Sequence, residues 1–186
     1  MSERSLEADY VIVGAGAVGM AFADTLLSDS DASMIIVDRR HKPGGHWIDA
    51  YPFVRLHAPS GYYGVNSRPL GSNCIERTGL NSGLHELATG PEICAYFDQL
   101  MRQRFLPSGR VTYLPLSDFG DDGVVTSRIN GARTRIHARR KTVDATFANT
   151  RLPATHAPDF AVSPAARCIS PSALGHRLIS SQPDSD

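Results

Sequence analysis

The chain has 186 residues, 41% hydrophobic and 20% charged, with nineteen basic residues balancing nineteen acidic ones. That length allows one sizeable domain with a tail, burying roughly 70% of its unfolded surface, and the neutral balance disfavours a globally basic nucleic-acid binder. The longest apolar run (Tyr10–Val13) is too short for a bilayer, no secretory signal opens the chain, and Cys74, Cys94 and Cys168 include no CxxC pair, so a cytoplasmic protein without disulfides or metal is expected.

Residues Asp9–Gly14 (DYVIVG) read as an apolar strand of the kind buried on both faces of a parallel sheet. Met20–Leu27 is helix-favouring, and Ser33–Asp38 (SMIIVD) forms a second apolar strand ending on an acid. Right-handed crossover makes the two strands parallel neighbours. Residues 39–90 are rich in Gly, Pro, Ser and Asn with interleaved aromatics and no sustained period, the mark of a long functional loop. Thr89-Gly-Pro-Glu92 starts a helix, with Thr89 as its cap. Ile93, Tyr96, Phe97, Leu100, Met101 and Phe105 continue it until Pro107 stops it. A strand is expected at Arg110–Pro115, then three short ones at Val124–Ile129, Thr134–Ala138 and Thr142–Phe147, separated by Asn130-Gly131 and Arg139-Arg140. These last three suggest an antiparallel meander. From Leu152 prolines recur, and 180–186 have a disordered composition. The expected organisation is an α/β domain over 1–150, with a parallel sheet, an antiparallel β-meander and a long loop at 39–90, followed by an irregular tail over 151–186.

Gly14-x-Gly16-x-x-Gly19 follows a strand and opens a helix, and an acid closes the next strand. In that context each residue has a physical task in dinucleotide binding. Gly14 permits the tight turn, Gly16 lets backbone approach a pyrophosphate, and Gly19 lets helix and strand pack closely. The free N–H groups at the N-terminus of the helix that follows, and its dipole, stabilise phosphate. Asp38 can accept from ribose hydroxyls, which favours an unphosphorylated ribose, while Arg39 and Arg40 leave a 2′-phosphate open.

Downstream, Asp38…Gly44-Gly45-His46-Trp47 resembles the GGxW pattern of the flavin-containing monooxygenase and Baeyer–Villiger group, with aspartate where glutamate is commoner. The stretch Tyr51-Pro…Arg55-Leu56-His57-x-Pro59-Ser60…Tyr63-Gly64-Val65 resembles that group's segment near the isoalloxazine ring. The resemblance covers roughly residues 8–160. It implies a Rossmann-type FAD/NAD(P)-binding domain that holds FAD, with NAD(P)H as electron donor and oxygenation of a small-molecule substrate as the chemistry. By the same resemblance Gly45, His46, Trp47, Leu56, His57 and Ser60 lie toward the flavin, beside Gly14, Gly16, Ala17, Gly19, Asp38 and Arg39 at the ADP half. Backbone near Leu114–Leu116 lies against adenine. No protein general acid or base is named, because the flavin carries the chemistry.

The chain departs from that family in places. It has no second GxGxxG, Val143-Asp-Ala-Thr146 is followed by Phe147 rather than glycine, and no FxGxxxHxxxW fingerprint occurs, Phe160–Arg167 being the nearest stretch. The expectation is the FAD-binding portion of a larger flavoprotein oxidoreductase, in truncated form. The alternative is a non-catalytic dinucleotide-binding module. The basic residues Arg128, Arg133, Arg135, Arg139, Arg140, Lys141 and Arg151 read as a solvated meander face. Asp118, Asp121 and Asp122 with Gly120 and Gly123 read as a hairpin turn rather than a calcium loop. GxSxG, HExxH and Tyr-x-x-x-Lys are absent.

Overall fold

The computed structural model describes residues 4–146 and 156–180. Six strands form one sheet in the spatial order β3-β2-β1-β6-β5-β4: β1 (Arg4–Val13), β2 (Met34–Val37), β3 (Val111–Leu114), β4 (Ser117–Phe119), β5 (Val124–Ser127) and β6 (Arg133–Asp144). β1 pairs parallel with both β2 and β6, and β2 parallel with β3. β4, β5 and β6 run antiparallel as a meander. This is the expected α/β arrangement of parallel sheet plus meander.

Alternation along the strands divides the apolar residues between two faces. Ile12, Met34, Ile36 and Val111 point to the main core with the inner faces of α1 (Ala17–Asp29) and α2 (Gly90–Leu100). Val11, Ile35 and Val37 point the other way, where Val125 and Ile136 of the meander join them without any helix residue.

The strands differ from expectation in three respects. β1 extends back to Arg4, because its polar first half pairs residue for residue with Thr134–Ala138 of β6. The two strands expected on either side of Arg139-Arg140 are one, β6. Arg139 does not break it: its guanidinium pairs with Glu7 at 3.0 Å and Asp9 at 3.1 Å, and Arg140 lies 6.0 Å over the Tyr10 ring. The mismatch is absorbed by a register shift between Ala8 and Tyr10. β4, too short and polar to show a period, was not anticipated. Elsewhere the meander's charges pair as a solvated face should, Arg128 with Asp118 and Arg133 with Asp122. The Gly120–Gly123 segment is the expected hairpin turn, closed by the Gly120 amide donating to Val124 O at 2.9 Å.

Thr89 caps α2 reciprocally with Glu92, as S/T-x-x-E spacing allows. The helix then widens into a π turn over Met101–Phe105 and ends in a 3₁₀ turn, Leu106–Ser108, that contains Pro107. Within the stretch expected to be irregular, Pro171–Ser180 form a third helix, α3, with Ser170 Oγ accepting from the Ala173 amide at 3.2 Å. Phe147, Arg151 and the 181–186 segment lie outside the described residues. Among the described residues no helix is long and apolar enough to cross a membrane.

Candidate dinucleotide-binding site

The turn between β1 and α1 is shaped by what its glycines lack. Gly14 sits at φ +104°, where an added Cβ would stand 3.2 Å from the Ala145 carbonyl at the end of β6. At Gly19 an added Cβ would lie 2.0 Å from Gly14 O, so helix and turn could not approach as they do. Gly16 is the N-cap of α1 and supplies no side-chain cap; the first turn carries no acidic residue. No side chain of α1 itself therefore compensates the positive end of its dipole, which suits an anion.

Two further segments brace this turn. Asp38, 5% exposed at the end of β2, accepts from the Ala15 amide at 2.6 Å and, with its other oxygen, from the Arg40 amide at 2.7 Å. A carboxylate has about four acceptor positions, so two remain. The second brace is the glycine pair: the Gly44 amide donates to Ala15 O at 2.9 Å, and an added Cβ at Gly45 (φ +58°) would lie 2.9 Å from Gly16 Cα. The two glycine motifs are thus packed backbone against backbone. Arg39 is exposed beside them, while Arg40 pairs with Asp49.

Beyond Gly45, a 3₁₀ turn (Gly45–Asp49) places His46 outward and Trp47 at the core's edge. Trp47 Nε1 donates to Tyr63 Oη at 2.5 Å, and the two rings meet edge to face at 5.8 Å. The His46 ring lies 5.1 Å from that of Trp47. Desolvation of the ring, then the Arg40 charge, hold His46 below its ordinary pKa. Burial pushes the Tyr63 hydroxyl up.

The structure therefore brings Gly14, Gly16, Ala17, Gly19, Asp38 and Gly45 together at one end of the sheet. Trp47 and His46 follow directly. Leu56 and Ser60 are placed differently. Leu56 lies in the main core, and Ser60, 1% exposed, uses its hydroxyl to donate to Glu86 O at 3.0 Å and to accept from the Ala88 amide at 2.8 Å. His57 is exposed. Backbone at Leu114 is engaged too, since its carbonyl accepts from the Asp38 amide at 3.1 Å.

Two polar groups near this region went unread in the sequence. Asp24, fully buried on the inner face of α1, accepts from Arg104 Nε at 2.7 Å. The signal was present: a carboxylate in the buried stripe Met20, Ala23, Asp24, Leu27 demands a partner. Tyr113 Oη on β3 is buried without a hydrogen-bond partner among the described residues. Desolvation, then the charges of Asp38 and Asp98, push its pKa far above the ordinary value.

Comparison with known proteins bears on the fold. Residues 12–56 match the family model of an NAD(P)-binding Rossmann-like domain. Uncharacterized proteins of Mycobacterium tuberculosis and Mycobacterium bovis are 47% identical over 171 residues, which is 92% of this chain and 32% of theirs. The chain thus spans about a third of the length of the curated relatives it matches. Among solved structures, a flavin-containing monooxygenase from Stenotrophomonas maltophilia superposes with TM-score 0.52 at 23% identity, over 75% of this chain and 38% of that one. The polycyclic ketone monooxygenase of Thermothelomyces thermophila gives 0.53 at 19%, over 78% and 24%. A bacillithiol disulfide reductase from Staphylococcus aureus gives 0.52 at 9%, over 75% and 38%. Over about three-quarters of its length the chain shares its fold with these flavin-containing and ketone monooxygenases.

Proposed function

We propose that this chain is the FAD-binding portion of an NAD(P)H-dependent flavoprotein oxidoreductase of monooxygenase type. The observation that carries the reading is the cradle at α1, a helix N-terminus without a side-chain cap behind a turn in which Gly14 and Gly19 leave no room for a Cβ, braced by Asp38 and Gly45. It fits the pyrophosphate of a dinucleotide. In this reading the amides of Ala17, Val18 and Gly19 hold the phosphates, and Gly14 and Gly16 keep the approach open. Asp38 offers its two remaining acceptor positions to ribose hydroxyls, and Arg39 lies beside the adenosine. Gly45, His46 and Trp47 carry the chain from the phosphates toward the ring system, and the segment containing Leu56, His57 and Ser60 backs it. Bound FAD supplies the redox chemistry; the protein's residues bind, orient and screen it from water.

The domain is taken as residues 1–150, with 151–186 as the tail and NAD(P)H as electron donor to a small-molecule substrate. Three free cysteines suit a cytoplasmic location. The direct test is the visible absorption spectrum of the purified chain after incubation with FAD and desalting. A retained flavin spectrum that Gly14→Val abolishes is the expected result. A folded protein that stays colourless, and that retains no NAD(P)H either, removes the reading.

A further inference from the structure

Asp24 lies on the helix that bears the glycine motif, yet its carboxylate faces away from that motif's braces. It accepts from Arg104 Nε at 2.7 Å, from the Ser67 amide at 3.0 Å and from the Ser67 hydroxyl. Arg104 comes from the π turn that ends α2, a geometry that keeps Met101 and Phe105 in the core while sending Arg104 back to α1. Its Nη2 also donates to Ser28 Oγ at 2.8 Å. Two helices therefore close on one charged node, and what they grip between them is the 65–68 turn.

That turn is held from its other side by α2. The Val65 amide donates to Tyr96 Oη at 2.7 Å, and the Tyr96 hydroxyl donates to Arg68 O at 2.5 Å. Arg68 Nη1 donates to Gln103 at 2.9 Å. The turn leaves no slack for the residues just before it: an added Cβ at Gly64 would stand 2.6 Å from the Leu70 amide. Tyr63 is next in line. Its ring stands between Phe97, at 6.3 Å, and Trp47, at 5.8 Å, and its hydroxyl receives the indole N–H.

We propose that Asp24 is a positioning residue for Trp47: by fixing the 65–68 turn between α1 and α2, it sets the seat of Tyr63 and, through the Trp47–Tyr63 hydrogen bond, the orientation of the indole beside the bound flavin. Only the last link rests on the FAD reading. The argument from charge is that a buried carboxylate is stable here because a guanidinium and two donors face it. Removing the charge leaves Arg104 without its counter-ion, so the grip on Ser67 loosens before the core does.

Trp47 is the chain's single tryptophan, which makes its emission a report on this one position. Asp24→Asn is compared with the wild type and with Val125→Ala, a destabilising change in the cluster on the opposite sheet face. Emission of the flavin-free protein, circular dichroism and FAD affinity are measured on each. In Asp24→Asn the emission moves to longer wavelength and FAD affinity falls about tenfold, the scale of one lost charged hydrogen bond. Val125→Ala lowers the melting temperature and moves neither. Asp24→Asn combined with Arg104→Gln, which neutralises both partners, returns the emission toward that of the wild type. Folded Asp24→Asn with wild-type emission overturns the proposal, as does Val125→Ala shifting the emission equally. Should Asp24→Asn fail to fold, Ser67→Ala decides instead: a smaller shift in the same direction supports the proposal and no shift overturns it. A wild-type protein that retains no flavin defeats the FAD reading, while the flavin-free emission still decides whether Asp24 positions Trp47.

Discussion

In the Gly14–Gly19 turn, backbone polar groups meet other backbone or a single acid: the Gly14 amide donates to Val37 O at 2.8 Å, and the Ala15 amide to Asp38. In the loop over 55–89 the same kind of irregular backbone is held by side chains. Ser60 spans Glu86 and Ala88, Tyr96 spans Val65 and Arg68, and Glu86 receives the amides of Ser72 and Asn73. The first region is shaped by atoms that are missing, whereas the second, with a crowded glycine of its own at Gly64, depends also on side chains that are present. The turn should therefore fail when a side chain is added, and the loop when one is trimmed.

The largest effect is expected from an addition to the turn. Gly19→Ala drives a Cβ into the Gly14 carbonyl, which belongs to rigid backbone, and should destabilise by about 3 kcal/mol in denaturant titration, the upper end for overpacking. Its nucleotide retention should vanish with it. The matching deletion in the loop is Ser60→Ala, which orphans the buried Ala88 amide; about 2 kcal/mol is expected by the same titration. A Ser60→Ala protein as stable as wild type would erase the contrast. Thr89→Ala removes the α2 cap and should cost about 1 kcal/mol, seen as a lower melting temperature. Tyr113→Phe reverses the sign. Its hydroxyl has no partner to lose among the described residues, so stability should rise by about 1 kcal/mol.

Acid should also separate the two regions. Glu86 is pushed up by its partial burial, yet the Asn73 amide, the Cys74 thiol and Ser72 outweigh this and hold its carboxyl below the ordinary value. A depressed folded-state pKa gives stability that is present above the unfolded value, about 4.3 for glutamate, and is lost as the pH falls through the folded one. Hydrogen exchange of the Ser72 and Asn73 amides should therefore quicken as the pH falls below about 4 relative to that of the Gly14 amide, after correction for intrinsic rates. Glu86→Gln should abolish the difference. Equal slopes in both regions would refute it.

The same contrast explains what could be read from the sequence. GxGxxG, the short apolar strand runs and the Thr89 cap are local signals, each settled within a few residues by sterics or composition. Continuity of β6 through Arg139-Arg140 depends on Glu7 and Asp9, which lie at the other end of the domain in sequence, so a basic pair looked like a break. In the 39–90 loop the sequence marked the segment but not the direction of its side chains. Leu56 and Ser60 could be singled out, while their burial depended on Ala88 and Glu86, contacts with no periodic signature. Asp24 was readable in principle as an acid inside an apolar stripe, but Arg104 reaches it only through a π turn that no residue pattern announced.

The sheet's central ladder has a consequence for synthesis. β1 pairs along its whole length with β6, whose residues lie some 130 positions later in the chain. As the protein leaves the ribosome, β1, α1 and β2 can assemble early, but one edge of β1 stays unpaired until residues 133–144 emerge. An open edge of that kind is an invitation to intermolecular pairing. The acids Glu7 and Asp9, which later seat Arg139 and Arg140, put negative charge on that edge during the wait, so the residues that complete the native ladder also guard its nascent form.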